Sequence, residues 1–163
     1  MSAFSLTKKN FGIAPLQVND SAPLHQIHQY CFTPAWEKRD FDNFLTDHSI
    51  FGYKTFLIDR SDQILGFCLC RLILDEAEII TVAVHPHYRQ QGIGTFLIDQ
   101  TVRYLHDKRA IKLFLEVEAT NLSALNLYRR FDFQKISERL SYYPSKNGRG
   151  DAIIMQKTFK QID

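Results

Sequence analysis

The segment that most constrains the fold is an apolar strand that runs directly into a glycine-punctuated helix. Ile79–Val84 is a nearly continuous apolar run, typical of a buried strand. The polar turn His85–Gln91 follows, and Gly92–Asp107 then repeats apolar residues at helical spacing. The first turn of such a helix leaves amide N–H groups without intrahelical partners, and these donors suit an anion. The sequence therefore predicts an anion-binding helix N-terminus at the end of a buried strand.

The rest of the chain alternates short strands and helices, which predicts a mixed α/β (α+β) fold. Further strands are predicted at Phe11–Val18, Tyr53–Asp59, Ile64–Leu74, Leu113–Val117, Phe133–Arg139 and Ala152–Phe159. Further helices are predicted at Ser21–Tyr30, Glu37–Asp47 and Asn121–Arg130. Turns are predicted at Arg60–Gln63 and Asp75–Glu78. A length of 163 residues predicts one domain over residues 1–163.

Composition excludes several classes of protein. No apolar run reaches membrane-spanning length, and no apolar stretch follows Lys8 and Lys9, so we expect a cytoplasmic protein without a secretory signal. Cys31, Cys68 and Cys70 are expected to be free thiols. The last two alternate within a strand and are expected to be small buried residues on one face. A lone Cys-x-Cys and the scattered histidines give no metal-ligand pattern, so no metal is predicted.

Charge is distributed unevenly along the chain. Residues Arg129–Lys160 hold eight Lys/Arg and three Asp/Glu, whereas the whole chain has a formal charge of +2. The basic end could meet an anionic cofactor or RNA, and a solvated surface is the alternative that charge alone favours. The sequence contains no dedicated nucleic-acid motif, and it leaves the oligomeric state open.

Gly92 and Gly94 lack side chains, so phosphate oxygens could approach the backbone of the turn closely. Two known phosphate motifs do not fit. A Walker motif needs Gly-Lys-Ser/Thr, whereas Gly94 is followed by Thr95 and Phe96. A dinucleotide fingerprint needs three spaced glycines, and only two are present here.

Two motifs resemble those of the GCN5-related N-acetyltransferases. The first is Arg-x-x-Gly-x-Gly at residues 89–94, after the Val-Ala-Val of residues 82–84. The second is Asn-x-x-Ala-x-x-Leu-Tyr at residues 121–128, followed by Phe133. The resemblance spans roughly residues 24–155, and two motifs at this separation are far more specific than either alone.

A narrower resemblance is to the bacterial ribosomal-protein alanine N-acetyltransferases within that family. It is carried by Phe32–Trp36, Leu74–Ala77, Leu115–Val117 and Tyr142–Met155. One departure is Asp132, where the family usually has a glycine that ends the helix in a left-handed conformation. Asp adopts that conformation less readily, which concerns local stability more than chemistry.

The resemblance implies a twisted, mostly antiparallel sheet with helices on both faces, and acetyl-CoA as cosubstrate. The pantetheine arm would enter a V-shaped gap between Ile79–Val84 and Leu113–Val117. Asn121 would contact the pantetheine. The strand residues expected to offer backbone groups to the pantetheine and acetyl carbonyl are Val82, Ala83 and Val84. The amides expected around the pyrophosphate are those of Gln90, Gln91, Gly92, Ile93, Gly94 and Thr95.

The resemblance places the general base at Glu116. An N-terminal ammonium has a reference pKa of about 7.7–8.0, so a carboxylate acting directly or through water can suffice. Glu116 stands in an apolar strand, which could desolvate it and raise its pKa toward neutrality. The alternative is a solvent-facing carboxylate, because Glu118 follows in register two residues later.

The resemblance assigns the general acid to Tyr128. This residue lies seven positions after Asn121, about two helical turns, so both share one helix face. A phenol can protonate a departing thiolate of comparable basicity. The alternative is a core tyrosine with a satisfied hydroxyl, which is the more frequent role of a helical tyrosine.

The resemblance implies that two loops form walls for the acceptor peptide. Phe32 and Trp36 come from the first helix–helix connection, and Tyr142 and Tyr143 from the late loop. Aromatic walls contact a peptide at modest entropic cost, and a core role for Trp36 is equally open. The acidic residues at 75, 76 and 78 could attract a basic peptide or only cap a hairpin.

The sequence thus predicts an N-terminal protein acetyltransferase that acts on the alanine of a small-subunit ribosomal protein by direct transfer. One alternative is the same chemistry on a lysine side chain or a small-molecule amine. A lysine ammonium, with a reference pKa of about 10.4, would need stronger deprotonation. Another alternative is a catalytically silent acyl-CoA-binding module, which would need neither Glu116 nor Tyr128.

Overall fold

The described part of the chain forms seven strands, four α-helices and two short 3-10 helices. The computed structural model describes residues 10–145 and 148–161, and the side chains of residues 141–149 lie outside that description. The strands are β1 (Phe11–Pro15), β2 (Ile50–Leu57), β3 (Arg60–Ile73), β4 (Glu76–Val84), β5 (Lys112–Glu118), β6 (Gln134–Ser145) and β7 (Gly148–Thr158). The helices are α1 (Ser21–Cys31), α2 (Lys38–Thr46), α3 (Ile93–Asp107) and α4 (Leu122–Arg130).

All seven strands form one sheet in the order β1-β2-β3-β4-β5-β7-β6. Every neighbouring pair is antiparallel except β4 and β5, which run parallel. The parallel pairing covers only Glu76↔Lys112, Ala77↔Leu113 and Glu78↔Phe114. Beyond Glu78 the two strands have no further paired residues, so the sheet opens between them. This opening is the V-shaped gap predicted between the two strands.

A β-bulge in β4 lies where this gap begins. Leu69 pairs with Thr81 and Cys70 with Ile79, so Ile80 is an extra residue in β4. A bulge leaves one residue outside the ladder and bends the strand. It also changes which side chains share a face, so that Ile79 and Val82 both pack in the same core. Because residues 79–84 are nearly all apolar, no break in the alternation of apolar and polar residues indicates the bulge in the sequence.

Helices cover both faces of the sheet, as predicted. On the α3/α4 face, residues of α3, α4 and the sheet form the larger core, with Leu97, Leu105, Leu113, Leu115, Leu125 and Met155 among its members. On the α1/α2 face, Leu24, Ile27 and Phe41 pack against Phe67, Leu69 and Ala83 of the sheet. A part-buried ion pair anchors the start of α1 to β2, with Lys54 Nζ 2.8 Å from Asp20 Oδ1.

Two predicted turns are misplaced. Arg60–Gln63 belongs to β3, and the turn that precedes β3 is at residues 58–59. Likewise Glu76 and Glu78 belong to β4, and the turn is at Leu74 and Asp75. Leu74 adopts a left-handed φ of 57° and is 92% exposed. Both errors have one cause, because exposed hairpin ends carry the polar residues of turns while their backbones still pair.

Cys68 and Cys70 are fully buried on one face with their Sγ atoms 3.5 Å apart, which confirms the sequence interpretation. The structure records Cys31, Cys68 and Cys70 as free thiols. None of the described helices is long and apolar enough to cross a membrane. That residues 1–163 form one domain stays a prediction.

Candidate active site

The turn between β4 and α3 presents backbone donors. Gln90 and Gly92 have left-handed φ angles of 60° and 85°, and both residues are exposed. Gly92 is the N-cap of α3, and no side chain among the described residues caps it. The first amides of α3 therefore lack intrahelical partners. A Cβ on Gly92 would meet nothing within 4 Å, so the space over this backbone is open. The turn fits a pyrophosphate, which binds to free amides at a helix N-terminus.

Gly94 also has a packing role, and its predicted contact with the pyrophosphate stays a prediction. A Cβ at Gly94 would lie 3.3 Å from Leu127 Cδ2, so this glycine allows α4 to pack closely on α3. Next to it, the Arg130 guanidinium is 3.5 Å from Thr95 Oγ1. This contact brings a basic side chain of α4 to the first turn of α3.

A side-chain network fixes the end of β4. The Cys31 thiol, at the end of α1, donates to the Val84 carbonyl at 3.4 Å. Arg89 Nε donates to the same carbonyl at 3.3 Å, and Arg89 Nη2 donates to Cys31 Sγ at 3.4 Å. A carbonyl oxygen has two lone pairs, so this network uses the acceptor capacity of Val84. Arg89 thus ties the turn between β4 and α3 to α1, a role that the motif does not indicate.

Glu116 lies at the gap but is not buried among the apolar residues of β5. Leu115 and Val117 point into the α3/α4 core, so Glu116 points to the α1/α2 face. Its side chain is 32% exposed, and Oε1 lies 3.3 Å from Arg139 Nη2 on β6. Among the described residues, Glu116 therefore has a charged partner and a partly exposed side chain, rather than the burial that the strand sequence suggests. Strand alternation explains the difference, because a strand can be apolar on one face only.

Tyr128 lies on the opposite face of the sheet from Glu116. It is buried in α4 on the α3/α4 face, with its ring 5.6 Å from Phe133. Asn121 is the N-cap of α4, and its Oδ1 accepts from the Ala124 N–H at 3.1 Å. This cap uses only the acceptor of the Asn121 amide and leaves its donors for another partner.

The α1–α2 connection is an aromatic surface on the α1/α2 face. We call residues 32–37 the acceptor loop. Phe32 is 40% exposed, whereas Trp36 is half-buried against the smaller core. The ring of His28, in α1, stacks on Phe32 at 4.4 Å and on Trp36 at 4.6 Å. Tyr142 and Tyr143 lie in β6 by their backbone, but their side chains are outside the described part of the structure.

His28 also forms a hydrogen bond to this loop. Its Nδ1 accepts from the Trp36 N–H at 3.2 Å. His28 is only 2% exposed, and burial, followed by the nearby His25, lowers its pKa to about 4. His25 Nδ1 lies 2.9 Å from the Trp36 carbonyl. Sequence reasoning missed both histidines, whose spacing of three on α1 was the available signal.

Further titratable residues of this region are His85 and His87, which follow β4, and Glu78 in β4. His87 is exposed and His85 partly exposed beside the turn, where burial together with His87 and Arg89 lowers the pKa of His85. Of the acidic hairpin residues, Glu78 pairs with Arg71, with Oε1 3.1 Å from Nη1. No group of three or more possible metal ligands occurs in the part of the chain that the structure describes.

Comparison with known proteins identifies the family. The family model described as the acetyltransferase (GNAT) family matches residues 21–133, from α1 through Phe133. The chain belongs to the acetyltransferase (GNAT) family. The family predicted from the two motifs is therefore confirmed, and with it the predicted acetyltransferase class and acetyl-CoA as the family's cosubstrate.

Relatives resemble the chain over most of its length. The [ribosomal protein bS18]-alanine N-acetyltransferase of Escherichia coli (strain K12) is 31% identical over 143 residues, which are 88% of this chain and 94% of that protein. The enzyme of the same name from Haemophilus influenzae is 30% identical over 144 residues, 88% of this chain and 95% of that protein.

Solved structures confirm the fold. The crystal structure of the ribosomal-protein-S18-alanine N-acetyltransferase from Escherichia coli has a TM-score of 0.86 and 28% identity. The match covers 94% of this chain and 97% of that chain. Arabidopsis thaliana NAA60, solved with a bisubstrate analogue, shares the fold at a TM-score of 0.81 and 22% identity, with 91% of this chain and 98% of that chain covered.

Proposed function

We propose that this protein transfers an acetyl group from acetyl-CoA directly to the N-terminal amine of a protein, and that the acceptor is the N-terminal alanine of a small-subunit ribosomal protein. The observation that carries the proposal is the similarity to the bS18-alanine N-acetyltransferases over 88% of the chain. The open gap between β4 and β5 supports it, because a linear substrate can reach the sheet there from both faces.

Acetyl-CoA and the acceptor would bind on different faces of the sheet. On the α3/α4 face, the amides of residues 90–95 would hold the pyrophosphate, while Asn121 and the backbone of residues 82–84 would bind the pantetheine arm. Since the Val84 carbonyl is engaged by Cys31 and Arg89, its contribution would come from the N–H group. Acetyl-CoA supplies an acyl group activated as a thioester.

The catalytic residues approach the gap from opposite faces. Glu116, on the α1/α2 face, would take the proton of the acceptor ammonium directly or through water. The neutral amine nitrogen then forms the new C–N bond as the C–S bond breaks, and the nitrogen loses its second proton to solvent as the amide forms. Tyr128, on the α3/α4 face, would protonate the departing sulfur. This arrangement lets the amine enter and the thiol leave on different sides of the gap, so no covalent enzyme intermediate is needed.

The acceptor would lie on the α1/α2 face, where the exposed ring of Phe32 is available. Phe32 and Trp36 would form one wall, and Tyr142 and Tyr143 the other. We place this reaction in the cytoplasm, where ribosomal proteins are made.

Mass spectrometry of ribosomal-protein N-termini, from cells with and without this protein, tests the acceptor. We expect one alanine N-terminus to lose its acetyl group when the protein is removed. In vitro, a peptide with that N-terminus should be acetylated, whereas the same peptide with a blocked α-amine and a free lysine should not. Transfer to the lysine would favour the side-chain alternative. Binding of acetyl-CoA without transfer to either peptide would favour a silent acyl-CoA-binding module.

A further inference from the structure

Two histidines of α1 hold the acceptor loop, because they contact the backbone N–H and the backbone carbonyl of Trp36. The Trp36 N–H donates to His28 Nδ1 at 3.2 Å, and the Trp36 carbonyl lies 2.9 Å from His25 Nδ1. The two histidines are three positions apart and therefore neighbours on the helix surface. Each ring binds the loop eight or more residues further along the chain, so these are tertiary contacts.

The chemistry of the contacts fixes a different proton arrangement on each ring. A carbonyl only accepts hydrogen bonds, so His25 must carry a proton on Nδ1. A backbone N–H only donates, so His28 Nδ1 must be unprotonated and its ring neutral, with the proton on Nε2. The contact made by His28 is thus lost on protonation, whereas that of His25 persists in the charged ring.

The surroundings of His28 keep its ring neutral. Phe32 and Trp36 stack on its two faces, and Phe41 packs edge-on at 5.5 Å. Among the described residues, His25 is the one charged or titratable group with a resolved electrostatic influence on this ring. Burial and His25 both disfavour the imidazolium, so the hydrogen bond to Trp36 persists at neutral pH.

We propose that His25 and His28 are positioning residues for the acceptor, because together they fix the backbone of Trp36 and the ring of Phe32 on the α1/α2 face, directly after Cys31 and its contact with the end of β4. This inference rests on the proposed function, which places the acceptor peptide on this loop. Neither histidine would touch the reacting atoms. Their effect would be to preorganise the aromatic wall, which lowers the ordering cost of binding a peptide.

Two substitutions separate the hydrogen bond from the ring stacking. His28→Asn places an amide oxygen where Nδ1 was and removes the ring. His28→Phe keeps a ring between Phe32 and Trp36 and removes the acceptor. We expect His28→Phe to raise the acceptor KM on the order of 10-fold, the effect of leaving one buried donor unpaired. His28→Asn should recover most of that loss, and the Kd for acetyl-CoA, by calorimetry, should change less than about 2-fold in both.

A spectroscopic measurement reports the contact without activity. Trp36 is the single tryptophan of the chain, so intrinsic fluorescence comes from this loop. A protonated imidazole quenches the fluorescence of an indole stacked on it. Because burial lowers the pKa of His28 to about 4, the tryptophan emission of the parent protein should change with a midpoint near pH 4. The transition should be absent in His28→Asn. His106→Phe, at an exposed site far along α3, is the matched control and should leave emission and KM unchanged.

The outcomes are distinguishable. If the parent protein binds acetyl-CoA but acetylates no peptide, the proposed function fails. If the parent acetylates the peptide while His28→Phe keeps the parental acceptor KM, or raises the Kd for acetyl-CoA equally, the positioning role is overturned. Should His28→Phe not fold, the His25→Leu variant decides, because an acceptor KM for His25→Leu equal to that of the parent overturns the proposal.

Discussion

The proposed acetyl-CoA site and the proposed acceptor site lie on opposite faces of the sheet and are built from different parts of the chain. On the α3/α4 face, the site is made of backbone: a left-handed glycine, uncapped amides of α3 and the diverging edge of β4. On the α1/α2 face, the site is made of side chains held by other side chains, as with Phe32 and Trp36 around His28. A backbone site tolerates many side-chain changes nearby, whereas a side-chain site depends on each partner. We therefore expect donor binding to be robust and acceptor binding to be adjustable.

The largest expected effect is that of Glu116→Gln, which keeps the shape and removes the proton acceptor. Turnover should fall by roughly 10²–10⁴, the usual scale of general acid–base help, with little change in the Kd for acetyl-CoA. Glu118→Gln, two residues along the same face of β5, is the matched control. Near-normal turnover of Glu116→Gln between pH 6 and 9 would return Glu116 to a structural role as the partner of Arg139.

Tyr128→Phe tests the proposed general acid on the α3/α4 face. Turnover should fall by about 10²-fold if the hydroxyl protonates the leaving sulfur, while the fold persists. A core hydroxyl alone would change stability by about 0.5–1.5 kcal/mol and leave turnover intact. A donor with a more acidic thiol should rescue the variant more than the parent. Tyr104→Phe, in the same core on α3, should show no such rescue, and equal losses on both donors would remove Tyr128 as the acid.

Acid should weaken the α1/α2 face through His28. Its folded pKa of about 4 is below its unfolded value of 6.5, so the unfolded chain takes up a proton first as the pH falls. The free energy of unfolding should therefore decrease between pH 6.5 and about 4, by up to about 3 kcal/mol. Urea unfolding of the parent and of His28→Asn across this range measures the effect. Parallel curves for the two proteins would contradict it.

Gly92→Val should weaken acetyl-CoA binding on the order of 10-fold, because a side chain would fill the open space over the turn and strain a φ of 85°. Gly92→Asn separates the two causes, since Asn tolerates the left-handed region. If obstruction dominates, calorimetry should find both variants weakened. An unchanged Kd in a folded Gly92→Val variant would mean that the phosphates lie elsewhere.

The smallest expected effect is at Asp132, which has a left-handed φ of 64° where the family usually has glycine. Asp132→Gly should raise the free energy of unfolding by about 0.5–1 kcal/mol, because it relieves the strain of a left-handed Asp. Arg109→Gly, at the left-handed position after α3, should give a similar gain. Thermal unfolding measures both, and a loss of stability at Asp132 would mean that its side chain makes a stabilising contact.

Local patterns were sufficient for most elements of the fold. The helices α1 and α3 begin and end within about one residue of the predicted bounds, because amphipathic spacing is a property of the local sequence. The Ile80 bulge escaped prediction because it depends on which residues β3 offers across the ladder. Gly94 was interpreted as part of the phosphate site, and only the position of Leu127 reveals its packing role.

The sequence by itself determined the family and predicted the phosphate-binding turn and the two candidate catalytic residues, since short motifs encode backbone conformations and residue types that are close along the chain. Only the tertiary structure decided that Glu116 and Tyr128 lie on opposite faces of the sheet and that Arg139 pairs with Glu116. It alone brought His25 and His28 onto Trp36, and Cys31 and Arg89 onto Val84. The physical reason is that these contacts join separate elements, and their geometry follows from how the elements pack rather than from any local pattern.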